Sequence, residues 1–368
     1  MKSINDIIGG AQGLLDISFE LQSCFEEKLN NHQKTFLQMM RVFEENMPAL
    51  YRPYKGTGRR PYQYLPFLKS LLAKSFYQIA STAKLIERLK ADPNMRLLCG
   101  FKKVPGEASF SRTFSYLAGM DIIQKTHDKL TEETFKNKII YHISRDSTTI
   151  SAREKAEKIV NKRRKTSGTL PKKLGRPPGT TGKHKKLPSG IEMQLNESPD
   201  VTLERLNKKC TYGAKQNSQG NYAFWKGYKL HLDVSDSGYP ITACVTGANV
   251  QDSLLAIPME KITEQKVTFC YSLMDKGYDA NLIHSFIREH DRIPIIKFKR
   301  RNNGNCPVLD PAKEERYKIR STVERANSHL KDSFIPKALY VKGYPKVSFV
   351  LFSAVLCLAI IKHLQFLC

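Results

Sequence analysis

The chain has 368 residues, enough for one large domain or two moderate ones, each with a buried core. Lys and Arg outnumber Asp and Glu by 60 to 35, a formal net charge of +25, which departs from the balance of an ordinary cytosolic enzyme and points to a polyanionic partner, most commonly nucleic acid. The eight cysteines include no CxxC pair, and the first twenty residues lack the basic start and continuous apolar core of a signal peptide, so a zinc site, a disulfide framework and secretion are not expected.

Residues 17–48 and 62–91 show helical spacing of apolar positions, as in Leu65, Leu68, Leu72, Phe76 and Ile79, and predict a helical N-terminal domain over 1–130. Between Ala91 and Leu117 two short segments are broken at Asp92-Pro93 and at Val104-Pro105-Gly106, with Ser109 as the N-cap-like start of the second. They read equally well as a helix-turn-helix or as a plain pair of packing helices. From Lys138 the texture changes to the β-rich run Ile139, Ile140, Tyr141, Ile143, a buried strand expected to deliver Asp146 at its C-terminal end. Residues 153–186 then hold thirteen Lys or Arg against two Glu, with Pro and Gly concentrated in one stretch, and predict an exposed basic insertion extending to about residue 204.

Regular structure resumes with strands 222–234 and 239–246 around the turn Ser235–Gly238. A helix (252–265), a strand (268–275), a helix (280–290), a strand (293–298) and a long helix (313–330) follow. This order implies an α/β fold, a ribonuclease-H-like mixed sheet flanked by helices over 137–345, interrupted by the insertion at 153–204. The uncharged run Val347–Ile361 falls short of the roughly 20 residues of a membrane span and predicts a C-terminal apolar helix, 346–368, packing on the core.

Three carboxylates stand out. Asp146 and Asp275 each terminate a predicted strand, and Glu324 lies on the last long helix, where Tyr317, Arg320, Glu324 and Lys331 are spaced by 3, 4 and 7 and share one stripe at 100° per residue. An exposed Arg320–Glu324 surface pair is the bland alternative. Three converging anions need compensation, and all-oxygen donors suit Mg²⁺ or Mn²⁺, two ions being the arrangement that serves an in-line phosphoryl displacement. Asp252 reads as a helix cap, Asp233 and Asp236 as turn residues, His231 as a satisfied or solvent-facing strand histidine, and Trp225, the sole tryptophan, as a hairpin packing residue. Lys162, Arg163, Arg164 and Lys165 are candidate phosphate contacts, and Gly175-Arg176-Pro177 is similar to a minor-groove-binding core.

The segment YKIRSTVERANSHLK matches in full the Tyr-x2-Arg-x3-Glu-x6-Lys signature of bacterial insertion-sequence transposases of the DDE type. The chain resembles that family further in RDSTTISA around Asp146, in YKLHLDVSDSGYPITACVTGANVQDS, in LMDKGYDA around Asp275 and in LCGFKKVPGEASFSRTFSYLA. The resemblance implies cleavage at transposon ends and joining of the freed 3′-hydroxyl to target DNA, with Asp146, Asp275 and Glu324 as catalytic metal ligands and Tyr317, Arg320 and Lys331 holding phosphates. Its partners would be double-stranded DNA, namely terminal inverted repeats and target, and a second copy of the chain in a homodimeric synaptic complex. The setting would be the bacterial cytoplasm at the nucleoid, with no membrane. Members that excise through a DNA hairpin carry a β-rich subdomain between the last strand and the glutamate helix; here only Lys299 to about Ala312 lies there. A non-catalytic DNA-binding regulator and a metal-dependent nuclease are the rival readings.

Overall fold

The computed structural model describes residues 28–54, 56, 61–157, 189–216, 219–299 and 307–367. The basic residues Lys162, Arg163, Arg164, Lys165 and Arg176 lie outside them, as does the start of the first expected helix.

Among the described residues six helices precede the sheet: α1 (Asn31–Asn46), α2 (Tyr64–Phe76), α3 (Thr82–Ala91), α4 (Pro93–Leu98), α5 (Glu107–Ala118) and α6 (Ile122–Phe135). Local chemistry sets their ends. Asn30 and Gln33 form a reciprocal capping box on α1, the Asn30 side chain accepting from Gln33 N at 2.8 Å and the Gln33 side chain from Asn30 N at 3.1 Å. Asp92 caps α4 through Met95 N, with Pro93 at the first helical position. Gly106, rather than Ser109, is the N-cap of α5, and Ser109 lies within that helix. Phe36, Phe43, Phe67, Phe76 and Phe110 are all buried.

The sheet comprises β1 (Ile139–Ser151), β2 (Thr211–Gln216), β3 (Tyr222–Ser235), β4 (Pro240–Gly247), β5 (Thr268–Met274) and β6 (Ile293–Ile296) in the order β2-β3-β1-β5-β6, with β4 also paired to β3. β1 runs antiparallel to β3 and parallel to β5, which is parallel to β6. Between β1 and β2, α7 (Gly190–Asn196) and α8 (Pro199–Arg205) are capped by Ser189 and Ser198, so regular structure occupies the end of the expected insertion. A 3-10 turn at Asp252–Leu255 leads into α9 (Ala256–Lys266), followed by α10 (Asn281–Glu289). The single long helix expected at 313–330 is instead α11 (Pro311–Tyr317), a 3-10 turn at Lys318–Arg320, and α12 (Ser321–Ser333).

Side-chain alternation along β1 separates two faces. Arg145 points toward α9, where its guanidinium donates to Asp233 Oδ1 and Oδ2 at 2.6 Å each and to Ala256 O at 2.6 Å, and pairs with Glu260 at 3.1 Å. All three charged side chains are at most 1% exposed. Asp233 is therefore no turn residue: its carboxylate faces the sheet–helix interface and also accepts from Thr263 at 2.6 Å. Asp236 does border the turn, and accepts from the backbone N–H of Tyr141 and His142.

The opposite face of the sheet belongs to the largest core cluster, in which Leu230, Leu232 and Val234 join Val323, Ala326 and Leu330 of α12. α13 (Tyr344–Leu367) lies in the same cluster and contacts α1, α2, α5, α6 and β4, so N-terminal helices and sheet share one apolar centre. By length and composition α13 could cross a membrane, yet 72% of its most apolar window is buried within the chain, as in the core helix of a globular protein.

Candidate active site

The β1–β5 ladder positions two of the three carboxylates. Arg145 pairs with Met274, so the next residues, Asp146 and Asp275, stand side by side where the parallel pairing ends. Asp275 does follow the last residue of its strand, and its carboxylate accepts from Lys276 N at 2.6 Å, starting a 3-10 turn at Lys276–Tyr278. Asp146 does not end its strand. β1 continues through Thr148, Thr149 and Ile150, β-branched residues that pair in turn with Leu230, Lys229 and Tyr228 of β3. What ends at Asp146 is the neighbour on the β5 side, and this frees the carboxylate.

Glu324 reaches the same region from the first turn of α12. It is ion-paired with Arg320 one turn earlier, so the bland surface pair expected from the i, i+4 spacing does form. Its setting is not bland. Arg320 is only 17% exposed against 53% for Glu324. Burial works against the guanidinium charge, but Tyr317, Glu324, Asp146 and Asp275 together hold its pKa above the ordinary value. Arg320 thus contacts Glu324 and feels the charges of Asp146 and Asp275. It also stacks over the Tyr317 ring at 5.6 Å, and Lys297 covers that ring at 4.5 Å. The 3-10 turn between α11 and α12 alters the helical stripe expected for Tyr317 and Arg320, yet the two side chains still meet.

Burial raises the Asp146 carboxyl above its usual range; a hydrogen bond from Ser147 N–H and the charges of Arg320 and Lys215 oppose this, and Asp252 adds to it. Lys331 lies on α12, two turns past Glu324, where its charge acts on Asp146, and burial lowers its pKa. Among the described residues no three Asp, Glu, His or Cys side chains are grouped closely enough to hold a metal ion. The carboxylates of Asp146 and Asp275, neighbours where the parallel ladder ends, are nevertheless of the donor type that suits a hard divalent cation.

Asp252 is not the helix cap that its place before an apolar run suggests. It is the first residue of its 3-10 turn, and its side chain makes no cap hydrogen bond. Lys229 Nζ donates to it at 2.9 Å and to Val250 O at 2.7 Å, and Ser147, beside Asp146, also donates to it. Its turn packs on the turn that follows Asp275. His231 is fully buried; its Nε2 meets Thr246 Oγ1 at 2.9 Å, while Nδ1 lies 4.0 Å from Asp252 without a hydrogen-bond partner. Its expected satisfaction is therefore only half realised. Trp225 packs as expected, donating from Nε1 to Tyr228 O at 3.3 Å.

The family described as "Transposase DDE domain" matches residues 139–360, more than half of the chain, from the first residue of β1 to within α13. The chain belongs to the DDE transposases. A second family, "Transposase domain (DUF772)", matches residues 23–116 and takes in α1 to most of α5. No curated protein and no solved structure is similar enough to match. The sheet is accordingly the ribonuclease-H-like sheet of a DDE transposase, and the helical segment before it is also transposase sequence.

Proposed function

We propose that this DDE transposase cleaves DNA at transposon ends and joins the freed 3′-hydroxyl to target DNA by in-line phosphoryl displacement, with Asp146, Asp275 and Glu324 as its acidic residues. The reading is supported by the side-by-side placement of Asp146 and Asp275 where the parallel ladder ends, with Arg320, in the 3-10 turn before α12 and paired with Glu324, near enough for the charges of both aspartates to act on it. These three carboxylates would hold divalent ions, Mg²⁺ or Mn²⁺ and two in number, which supply activation of the attacking oxygen and charge stabilisation at the leaving oxygen.

The protein's own residues do the rest. Arg320 neutralises the carboxylates in the free enzyme and, once Glu324 turns to its ligand role, offers its guanidinium to a DNA phosphate. Tyr317 holds Arg320 in place by stacking. Lys331, about 10 Å beyond Glu324 along the helix at 1.5 Å per residue, is a point charge suited to a neighbouring phosphate. Two ends must be processed together, which requires two copies of the chain. Lys162, Arg163, Arg164, Lys165 and Arg176 supply further phosphate contacts.

The test uses labelled end DNA with Mg²⁺ or Mn²⁺. Asp146→Asn, Asp275→Asn and Glu324→Gln each abolish cleavage and leave DNA binding in place; retained cleavage in any of them overturns the assignment. Supplying a pre-cleaved 3′-hydroxyl end and looking for joined product separates a transposase from a nuclease.

A further inference from the structure

We infer that the β2–β3 ribbon is a docking arm for a DNA strand with unpaired bases, which it engages through an aromatic outer face. The partner class rests on the transposase reading; the surface itself rests on separate observations. Tyr222 to Trp225 of β3 pair with β2 alone, because β1 and β4 join β3 only at its later residues, with Ala152 N–H donating to Lys226 O at 3.0 Å. The two strands therefore extend past the sheet as a ribbon. At its root Gly227 has φ +152°, and a Cβ there would lie 2.0 Å from Ile150 O, so only glycine lets the ribbon pass this close to β1.

Cross-strand pairing places Tyr212 opposite Lys226, Ala214 opposite Phe224 and Gln216 opposite Tyr222, all on one face. On that face Tyr212 is 66% exposed, Tyr222 61% and Phe224 75%. Three large rings left in water on one small ribbon, where most of the other aromatics among the described residues are buried or partly buried, mark a binding surface. Tyr222 and Phe224 lie with ring planes 28° apart and offer π-faces that any base can cover.

Charge selects the occupant. From Lys208 to His231 the chain has five lysines and no Asp or Glu. The aromatic face carries Lys226 and no acidic residue, so two copies of it would set like charges against each other, whereas a polyanion matches it. Lys215, on the other face by alternation, is near enough to Asp146 and Lys331 for its charge to act on both, so the ribbon is continuous with the candidate site. Exposed ring faces serve bases that have left their stack, since bases within a duplex are already covered. A single-stranded segment beside the reacting end is the partner that fits.

The experiment measures anisotropy of a fluorescein-labelled single strand of about 16 nucleotides, and of the blunt duplex of the same sequence, across a salt series. The full-length chain is compared with the triple variant Tyr212→Ser, Tyr222→Ser, Phe224→Ser and with Lys226→Gln. The triple variant is expected to bind the strand at least about tenfold more weakly with an unchanged salt slope and duplex affinity, because it removes stacking and no charge. Lys226→Gln should lower the slope by about 0.7. These positions are exposed, so an unchanged melting temperature confirms that the fold persists. Strand affinity within twofold of the parent overturns the inference, and so does a triple variant that loses self-association in sedimentation while DNA binding stays the same. If the parent cleaves end DNA but the triple variant binds the strand equally well, the ribbon inference falls and the transposase reading stands; a parent that neither cleaves nor joins end DNA overturns that reading instead.

Discussion

Replacing Arg145 with Met removes the cation between Asp233 and Glu260, two carboxylates at most 1% exposed. The guanidinium donates two bonds of 2.6 Å to Asp233 and one to Ala256 O, so the variant leaves Asp233 buried with only Thr263 still donating to it, while Glu260 keeps Arg292 at 3.0 Å. Breaking a buried pair from one side costs about 3–5 kcal/mol. A chain of 368 residues unfolds with an entropy of roughly 0.8 kcal/mol/K, so the melting temperature should fall by about 4–6 °C. Arg41→Met, which breaks the exposed Arg41–Glu45 pair at 3.0 Å, is the control and should shift melting by less than about 1 °C. Scanning calorimetry of both variants, together with the double replacement Arg145→Met, Asp233→Leu, decides the matter. The double variant should recover part of the loss because it removes the stranded anion as well as the cation. If Arg145→Met melts within a degree of the parent, the buried network does not stabilise the sheet–helix interface and the reasoning fails.

Gly227→Ala should destabilise the chain and disorder the β2–β3 ribbon, because its Cβ would meet Ile150 O at 2.0 Å; an unchanged melting temperature with preserved ribbon amide protection refutes this. His231 is fully buried and held neutral, its pKa lowered to about 4 by burial. A depressed folded-state pKa on a base means that the unfolded chain binds the extra proton first. Stability is therefore complete above pH 6.5 and falls by up to roughly 3 kcal/mol as the pH drops toward 4, and His231→Asn should flatten that part of the stability curve in denaturant titrations. Asp252→Asn should reduce cleavage more than DNA binding, since it unties Ser147 from Lys229 beside Asp146; equal losses in both would point to general disruption. Lys331→Ala should weaken binding or joining of end DNA while cleavage at saturation falls less than in Glu324→Gln, and end affinity unaltered across salt would remove its phosphate role.

The element order of the sheet was readable because most of its strands are runs of aromatic, aliphatic and β-branched residues bounded by turn residues, and Asp275 follows its strand as the pattern Phe269–Met274 implies. β2 escaped notice. Its run Thr211–Gln216 mixes Gly213, Lys215 and Gln216 with one aromatic, so it lacks the apolar alternation of a strand over a core. The partnership of Arg145 with Asp233 spans 88 positions and joins residues each of which looks like an ordinary surface charge, so local pattern carries no trace of it. The same holds for Asp252, whose place before an apolar run imitates a cap although Lys229, 23 positions earlier, claims its carboxylate. The 3-10 turn at Lys318–Arg320 has no punctuating Gly or Pro, and nothing in the sequence marks it.

α13 gives the order of synthesis a physical consequence. Its side chains close the cluster that holds both α1–α6 and the sheet, yet Tyr344–Leu367 is translated after every residue it packs on. While the ribosome is still working through β6 and α12, the helices and the strands ahead of it lack the wedge that seals them together, and their apolar surfaces stay open to chaperones or to one another. Closure of the core thus waits until that helix has cleared the exit tunnel, so a message truncated before Tyr344 yields a polypeptide in which the elements bearing Asp146, Asp275 and Glu324 lack a finished core beneath them.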